Sequence, residues 1–206
     1  MKKTLISFIV LTLCTYCNSQ HNIKKNNIIQ NKSSQDIKID VKQFDENFLD
    51  SHFSIDTLWI VSTSNFFFYP FGKYYNLPEL SNAYPFMTKK IEYDKLSRDY
   101  SNEPLYRFFY NQNYIKFFYD DEKKTMEIVS AKIFDKRISL INQVKIGIKK
   151  SVFIRKFTNK ISPKQIKNTH VIAFVSGLYG IWHYYNFEGD TLKSFWINTA
   201  CMVNKN

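Results

Sequence analysis

Four histidines, His21, His52, His170 and His183, are the side chains of this chain best suited to acid–base or metal chemistry near neutral pH. None of them lies at zinc-ligand spacing from another histidine or from a cysteine. The chain also lacks a Gly-x-Ser-x-Gly elbow and a phosphate-binding glycine loop. The sequence therefore predicts no catalytic residue, no metal site and no cofactor, and it favours a protein that is not an enzyme.

Carboxylates offer two weaker possibilities. Asp120-Asp121-Glu122 could contact a cation, although an acidic hairpin turn is usually only solvated. Asp56 or Asp94 could act with a distant carboxylate in a hydrolase, since the sequence gives no separation between them. His183 lies in an aromatic strand pattern, which favours a core or sheet-edge residue over a general base.

The N-terminus has the layout of an export signal. Met1-Lys2-Lys3 is basic, the segment Leu5–Cys14 is mostly apolar, and a polar stretch begins at Asn18. We expect a signal peptide over residues 1–19, which is too short to span a bilayer as a mature helix.

Two of the three cysteines lie within that segment, and each is a candidate for lipidation. Cys17 is the preferred candidate and Cys14 the second, although each is preceded by a bulky residue where lipoprotein signals carry a small one. Ordinary cleavage near Cys17–Gln20 is an equal alternative, giving a secreted or periplasmic protein. Cys201 is then the only cysteine left, so we expect no internal disulfide.

The chain is basic throughout. Its formal net charge is +11, and because residues 1–19 hold two lysines and no acid, the processed chain would carry +11 − 2 = +9. The lysines are scattered, and export argues against nucleic acid, so we expect no nucleic-acid partner. Residues 20–40 are rich in Asn, Gln, Lys and Ser and are predicted to form a flexible tether.

Residues 41–206 are predicted to form a single domain of α+β class. Val41–Leu49 fits a short helix, and Thr57–Tyr69 a strand or hairpin. Lys73–Pro104 is expected to be an irregular excursion with one short helix near Tyr93–Asp99. Its aromatic residues would form a recognition surface or, as the simpler interpretation, cap the edge of the sheet: Tyr74, Tyr75, Tyr84, Phe86 and Tyr93.

The middle of the chain is strongly β-prone. Leu105–Tyr110 and Tyr114–Tyr119 are predicted to pair as a hairpin across Asn111-Gln112-Asn113. Met126–Ile133 fits a half-buried strand, and the pattern continues through Arg137–Ile146.

A C-terminal module, Val144–Asn198, is expected to organise the rest. It begins with a short strand at Gln143–Gly147 and a helix at Lys149–Phe157. Three strands follow, at His170–Val175, Leu178–Phe187 and Thr191–Asn198, with a glycine turn at Gly189-Asp190. In the second of these strands, Ile181, His183, Tyr185 and Phe187 would share one face and Trp182, Tyr184 and Asn186 the other, with Trp182 able to stack on Trp196.

The segment Lys145-Ile146-Gly147-Ile148-Lys149-Lys150-Ser151-Val152-Phe153 resembles the strand–glycine–helix opening of small outer-membrane lipoproteins of the SmpA/OmlA (BamE-like) type and of β-lactamase-inhibitor proteins. Trp182–Phe187 and Asp190–Phe195 resemble their aromatic and return strands. Ile148 replaces the usual Met, and Ser162-Pro163 stands where Gly-x-Pro often ends the helix. The resemblance covers about a quarter of the chain. It implies an envelope binding or assembly module without catalytic residues.

Together these patterns predict an α+β domain built from a mostly antiparallel sheet with one or two packed helices. The favoured function is an exported, non-enzymatic binding or assembly module of the bacterial envelope, with an envelope protein as partner and a lipid anchor as a possible membrane attachment. One alternative is a secreted hydrolase with its site in the 73–104 excursion. The other is an immunity or inhibitor protein that covers a partner's active site.

Overall fold

The computed structural model describes residues 40–93, 104–177 and 180–200, and their main feature is one sheet of nine strands. The strand order is β1-β2-β7-β8-β9-β6-β5-β4-β3. The strands are β1 (Phe48–Ser54), β2 (Thr57–Ser62), β3 (Thr88–Glu92), β4 (Leu105–Tyr110), β5 (Asn113–Asp120), β6 (Thr125–Ile133), β7 (Val171–Ser176), β8 (Ile181–Glu188) and β9 (Thr191–Thr199).

The predicted fold class is wrong. The sheet is mixed, because β2 and β7 pair in parallel from Thr57–Val171 to Ser62–Ser176, while the neighbouring pairs on either side are antiparallel. The described α-helices are short, and they are α1 (Val41–Glu46), α2 (Leu77–Ala83) and α3 (Lys150–Arg155). The molecule is therefore a β-rich mixed sheet. β2 and β7 lie side by side although they are more than a hundred residues apart in the chain, and no local pattern predicts such a pairing.

The C-terminal module occupies the centre of this sheet. The predictions of α3, β7, β8, β9 and the positive-φ turn at Gly189 (φ 56°) are confirmed to within a few residues. The strand predicted at Gln143–Gly147 is wrong: a 3₁₀ turn covers Ile141–Gln143, and Gly147 has a φ of 93°. Val144 is buried and Ile146 partly buried, although neither lies in a strand, which explains why their spacing imitates one.

The β4–β5 hairpin is also confirmed, with a shorter turn than expected. Tyr110 pairs with Asn113, so Asn111 and Gln112 alone form the loop. The buried Asn113 carboxamide fixes this end of the sheet. Its Nδ2 donates to Tyr110 O at 2.9 Å, and its Oδ1 accepts from the N–H of Phe134 at 2.7 Å.

Strand β6 is buried along almost its whole length, whereas the sequence predicts a half-buried strand. It lies between β5 and β9. Near the start of β6, beyond the residues that pair with β9, the N–H of Met126 donates to Tyr74 O at 2.8 Å. Val129 packs with Leu105 and Phe118 in a small cluster separate from the main core.

The segments before β4 differ more from expectation. The helix predicted over Val41–Leu49 ends at Glu46, and β1 begins at Phe48. The second half of the predicted Thr57–Tyr69 hairpin is a 3₁₀ turn at Asn65–Phe67, whose rings are buried in the core instead of paired in a sheet.

The 73–104 excursion contains α2 and the edge strand β3. Asn76 caps the N-terminus of α2, and its side chain accepts a hydrogen bond from the N–H of Glu79. The helix predicted near Tyr93–Asp99 lies outside the described residues apart from Tyr93. Of the aromatic residues expected here, Tyr84 is buried and Phe86 packs on Tyr110, whereas Tyr93 is 78% exposed.

One face of the sheet is covered, and the main core lies there. Aromatic rings from α1, α3 and the 3₁₀ turn at Asn65–Phe67 pack on rings of β7 and β8. Phe157 contacts Phe174 with ring centroids 4.7 Å apart, and Phe153 contacts Tyr185 at 4.6 Å. Burial of rings of this size supplies most of the stabilisation available to a domain whose described residues contain no cysteine.

Candidate functional site

The opposite face of the sheet, which we call the open face, carries the candidate site. Side chains in a strand alternate between the two faces. In β8 the buried set is Ile181, His183, Tyr185 and Phe187, and the partly exposed set is Trp182, Tyr184 and Asn186, as the sequence predicts. The second set faces away from the core.

A single row of side chains crosses the open face through all nine strands. The pairing registers connect its members from one strand to the next without a break. Eight inter-strand spacings of about 4.8 Å make the row roughly 38 Å long. We call this row the ladder, and its members in spatial order are His52, Trp59, Ala173, Tyr184, Trp196, Lys132, Tyr114, Phe109 and Thr88.

The first half of the ladder is aromatic. The rings of His52 and Trp59 stack with centroids 6.1 Å apart and planes at 10°. Trp59 meets Tyr184 edge to face at 6.2 Å, across the small buried Ala173 between them. Trp196 pairs directly with Tyr184, so the expected direct pairing of Trp182 with Trp196 is wrong: Trp182 stands opposite Asn198.

The second half of the ladder is cationic as well as aromatic. Lys132 Nζ lies 4.9 Å from the centre of the Trp196 ring and 5.3 Å from that of Phe134. The Arg107 guanidinium lies 5.2 Å from the Tyr114 ring. Such contacts between a cation and a ring face hold the charge near the surface while shielding the ring from water.

Arg107 and Lys116 stand in the row next to the ladder, and both contact one carboxylate. Glu92 lies 2.8 Å from Lys116 Nζ and 3.2 Å from Arg107 Nη1. Partial burial would raise the pKa of Glu92, but the hydrogen bonds from Lys116 and Arg107 outweigh burial and lower it. Lys90, paired with Arg107 across β3 and β4, is exposed, so the described side chains of this half carry more positive than negative charge.

Two polar atoms on this half have no hydrogen-bond partner within the described residues. They are Arg107 Nε and the hydroxyl of Ser130, and both are shielded from solvent. Ser130 pairs with Lys116 on one side and with Asn198 on the other, so its hydroxyl lies in the row that holds the cations. Buried polar groups are normally hydrogen-bonded, so these two atoms are exceptions to the usual pattern.

The side chains of the ladder are mostly half-buried. Trp196 is 41% exposed, and Trp59, Tyr184, Tyr114 and Phe109 are each partly exposed. Burial raises the pKa of the Tyr184 phenol, which therefore remains a neutral hydrogen-bond donor at physiological pH. This combination of Trp, Tyr and Arg is the composition of energetically dominant residues at protein interfaces.

The histidines singled out by sequence are not brought together. His183 is fully buried in the core, where its ring contacts Phe66 and Phe67 at 5.2 and 5.3 Å. His170 lies near Asp56, with 3.8 Å between Nδ1 and Oδ2. His52 alone joins the open face, and His21 lies outside the described residues.

His183 has the environment of a core residue. Its Nδ1 lies 3.3 Å from the Tyr185 hydroxyl, and its Nε2 has no hydrogen-bond partner of good geometry within the described residues, although the Phe67 backbone lies beside it. Burial lowers the pKa of His183 to about 3, so the imidazole is neutral in the folded protein.

The acidic turn after β5 is internally satisfied. Asp120 accepts hydrogen bonds from the N–H groups of Glu122 and Lys123, and Lys123 Nζ lies 3.1 Å from Asp120 and 2.7 Å from Glu127. Burial would raise the pKa of Asp120, but the hydrogen bonds from Lys123 outweigh burial and lower it. Across the described ranges no group of three or more His, Cys, Asp or Glu side chains could hold a metal ion.

A groove of ≈ 820 Å³ lies between the turn at 163–170 and the β8–β9 turn, and it is lined by Ser151, Lys167, His170 and Asp190 among others. Lys150, buried next to it, donates to Thr169 O at 2.5 Å. Burial lowers the pKa of Lys150. The Lys150 ammonium already donates to backbone carbonyls, so the groove is a weaker candidate for a functional site than the ladder.

The remaining predicted site residues, Cys14, Cys17 and Asp94, lie outside the described residues, as does Cys201. None of the described helices is long and apolar enough to cross a membrane. Sequence reasoning missed the ladder, although Trp59, Tyr184 and Trp196 each lie at an outward position of a predicted strand. Comparison with known proteins adds no identity: no family model, no curated protein and no solved structure matches this chain.

Proposed function

We propose that this chain is an exported, non-enzymatic binding module of the bacterial envelope, and that the ladder on the open face is its binding surface. The observation that carries the proposal is the unbroken row of nine side chains, seven of which are aromatic, imidazole or cationic. Aromatic rings on the covered face are buried against other parts of the chain, whereas the rings of the ladder remain partly exposed to water.

The chemistry of the face selects a class of partner. Its aromatic half supplies apolar area, and its other half supplies Lys132, Lys116, Arg107 and Lys90, of which Lys116 and Arg107 pair with Glu92. A protein surface that presents carboxylates beside an apolar centre complements both halves. The partner is therefore an envelope protein with an acidic patch, reached from a lipid anchor at Cys17 or Cys14 or by diffusion in the periplasm.

A co-purification experiment tests the surface. The chain is isolated from detergent-solubilised envelope fractions as wild type, as Trp196→Ala with Lys132→Glu, and as Val152→Ala, a control at a 46% exposed position of α3. A stoichiometric acidic partner should remain with the wild type and the control. Its affinity for the ladder variant should fall at least about thirtyfold, as expected for loss of a central aromatic and a cation.

Two results would count against the proposal. A partner that binds all three proteins equally would show that the ladder is not part of the interface. Single-stranded nucleic acid in place of an acidic protein would replace the proposed partner class, because stacked rings with cations also suit unpaired bases.

Export and anchoring are tested separately. If Cys17 is lipidated, Cys17→Ser should remain an unprocessed precursor, and globomycin should likewise block processing of the wild type. Cys14→Ser is the matched control, with the roles reversed if Cys14 is the anchor. A chain that stays in the cytosol with residues 1–19 intact would refute the envelope assignment.

A further inference from the structure

We infer that strand β1 is a pairing edge that joins two copies of this chain into one continuous sheet. Among the described residues, β1 and β3 are the terminal strands of the sheet. β3 contains Lys89 and Lys90, and such lysines protect an edge against association. β1 contains no lysine, arginine or proline, and it exposes 58% of Leu49 and 51% of Phe53.

The sequence of β1 is complementary to itself. The strand runs from Phe48 to Ser54, so Ser51 is its midpoint. Antiparallel pairing of two copies about Ser51 places Asp50 opposite the second copy's His52 and Leu49 opposite its Phe53. Each pair occurs twice, as a two-fold interface requires, and it joins acid to base and apolar to apolar.

The backbone at Ser51 supports the same register. The Ser51 N–H donates a hydrogen bond to the neighbouring Asp50 carboxylate at 2.7 Å, so it points away from β2. In the paired state the two Ser51 residues exchange N–H and C=O groups across the axis. The Asp50 carboxylate is then released to accept a hydrogen bond from the imidazole of the second copy's His52.

Charge explains why the contact falls on this strand. Each chain carries a net charge of +11, so two copies repel one another wherever lysines face each other. β1 is a strip free of cationic lysine and arginine side chains. The register shift of β1 against β2 lies between Phe48 and Asp50, so it falls at Leu49 and leaves the central Asp50–His52 segment regular.

Sedimentation equilibrium of the full chain, purified as cells produce it, tests this interface. The wild type should show a reversible monomer–dimer equilibrium. Asp50→Lys and His52→Asp should each raise the dimer dissociation constant between about two- and thirtyfold, because two cross-strand pairs are lost or made repulsive. The double variant, which exchanges the two charges, should restore it to within about threefold of wild type.

A matched double variant, Asp121→Lys with His170→Asp, makes the same charge changes at exposed positions outside β1 and should dimerise like wild type. Unfolding curves should show that every variant is folded. The inference fails if the wild type is monomeric up to ~1 mM, a range in which even weak pairs associate. It also fails if the double variant does not recover, or if Trp196→Ala abolishes association while Asp50→Lys leaves it intact, which would place the contact on the open face.

Discussion

The buried imidazole of His183 should make the protein lose stability in mildly acidic solution. The side chain is fully buried, and burial lowers its pKa to about 3 in the folded chain, whereas an unfolded chain has a histidine pKa of about 6.5. Between these values the unfolded chain binds more protons than the folded one. The free energy of unfolding therefore falls as the pH is lowered from about 6.5 towards 3.

The magnitude follows from the two pKa values. Each pH unit inside the window costs about 1.4 kcal/mol, so lowering the pH from 7 to 5 should remove roughly 2 kcal/mol of stability through His183 alone. The carboxylates with lowered pKa values, Glu92, Asp120 and Asp135, act in the same direction but only at lower pH, as the pH falls below their unfolded-state pKa values. The interval from pH 5 to 7 therefore isolates the histidine.

Urea unfolding at half-unit pH intervals measures this effect. His183→Leu should be less stable than wild type at pH 7, since the Tyr185 hydroxyl loses its neighbour. Its stability should fall much less than that of wild type between pH 7 and pH 5. His170→Gln, at a side chain that is 66% exposed, should keep the wild-type slope. Parallel curves for wild type and His183→Leu would refute the assigned burial and pKa.

Four further substitutions test local geometry by their effect on the free energy of unfolding. Gly180→Ala should cost about 2–4 kcal/mol, because Gly180 has a φ of 58° and an added Cβ would lie 2.8 Å from the Ala200 Cβ. Gly189→Ala, at a φ of 56° with open space around it, should cost only about 1–2 kcal/mol. Equal losses of stability for the two glycine variants would contradict the contact between position 180 and Ala200. Ile55→Asn should raise stability by about 0.5–1 kcal/mol, because Ile55 is fully exposed at a φ of 41°, and a decrease would show that its side chain stabilises the fold. Asn113→Ala should cost about 1–3 kcal/mol by leaving backbone groups unpaired, and a change under 0.5 kcal/mol would contradict those hydrogen bonds.

Local sequence patterns predicted most of the secondary structure in the second half of the chain. β4, β5, β8 and β9 have alternating or aromatic runs bounded by turn residues, and each was predicted close to its observed limits. The pattern failed at Asn65–Phe67. Two consecutive phenylalanines satisfy either a strand or a buried turn, and packing against Phe157 and His183 decides between them.

The sequence by itself determined which residues of β8 face inward, where the hairpins turn, and that His183 has no ligand neighbour along the chain. Tertiary structure alone decided the parallel contact of β2 with β7, the burial of β6 on both faces and the alignment of Trp59, Tyr184 and Trp196 in one row. Alternation within a strand is fixed by backbone geometry over a few residues. Strand order and register depend on contacts between segments that can be more than a hundred residues apart, and the local pattern of side chains does not specify those contacts.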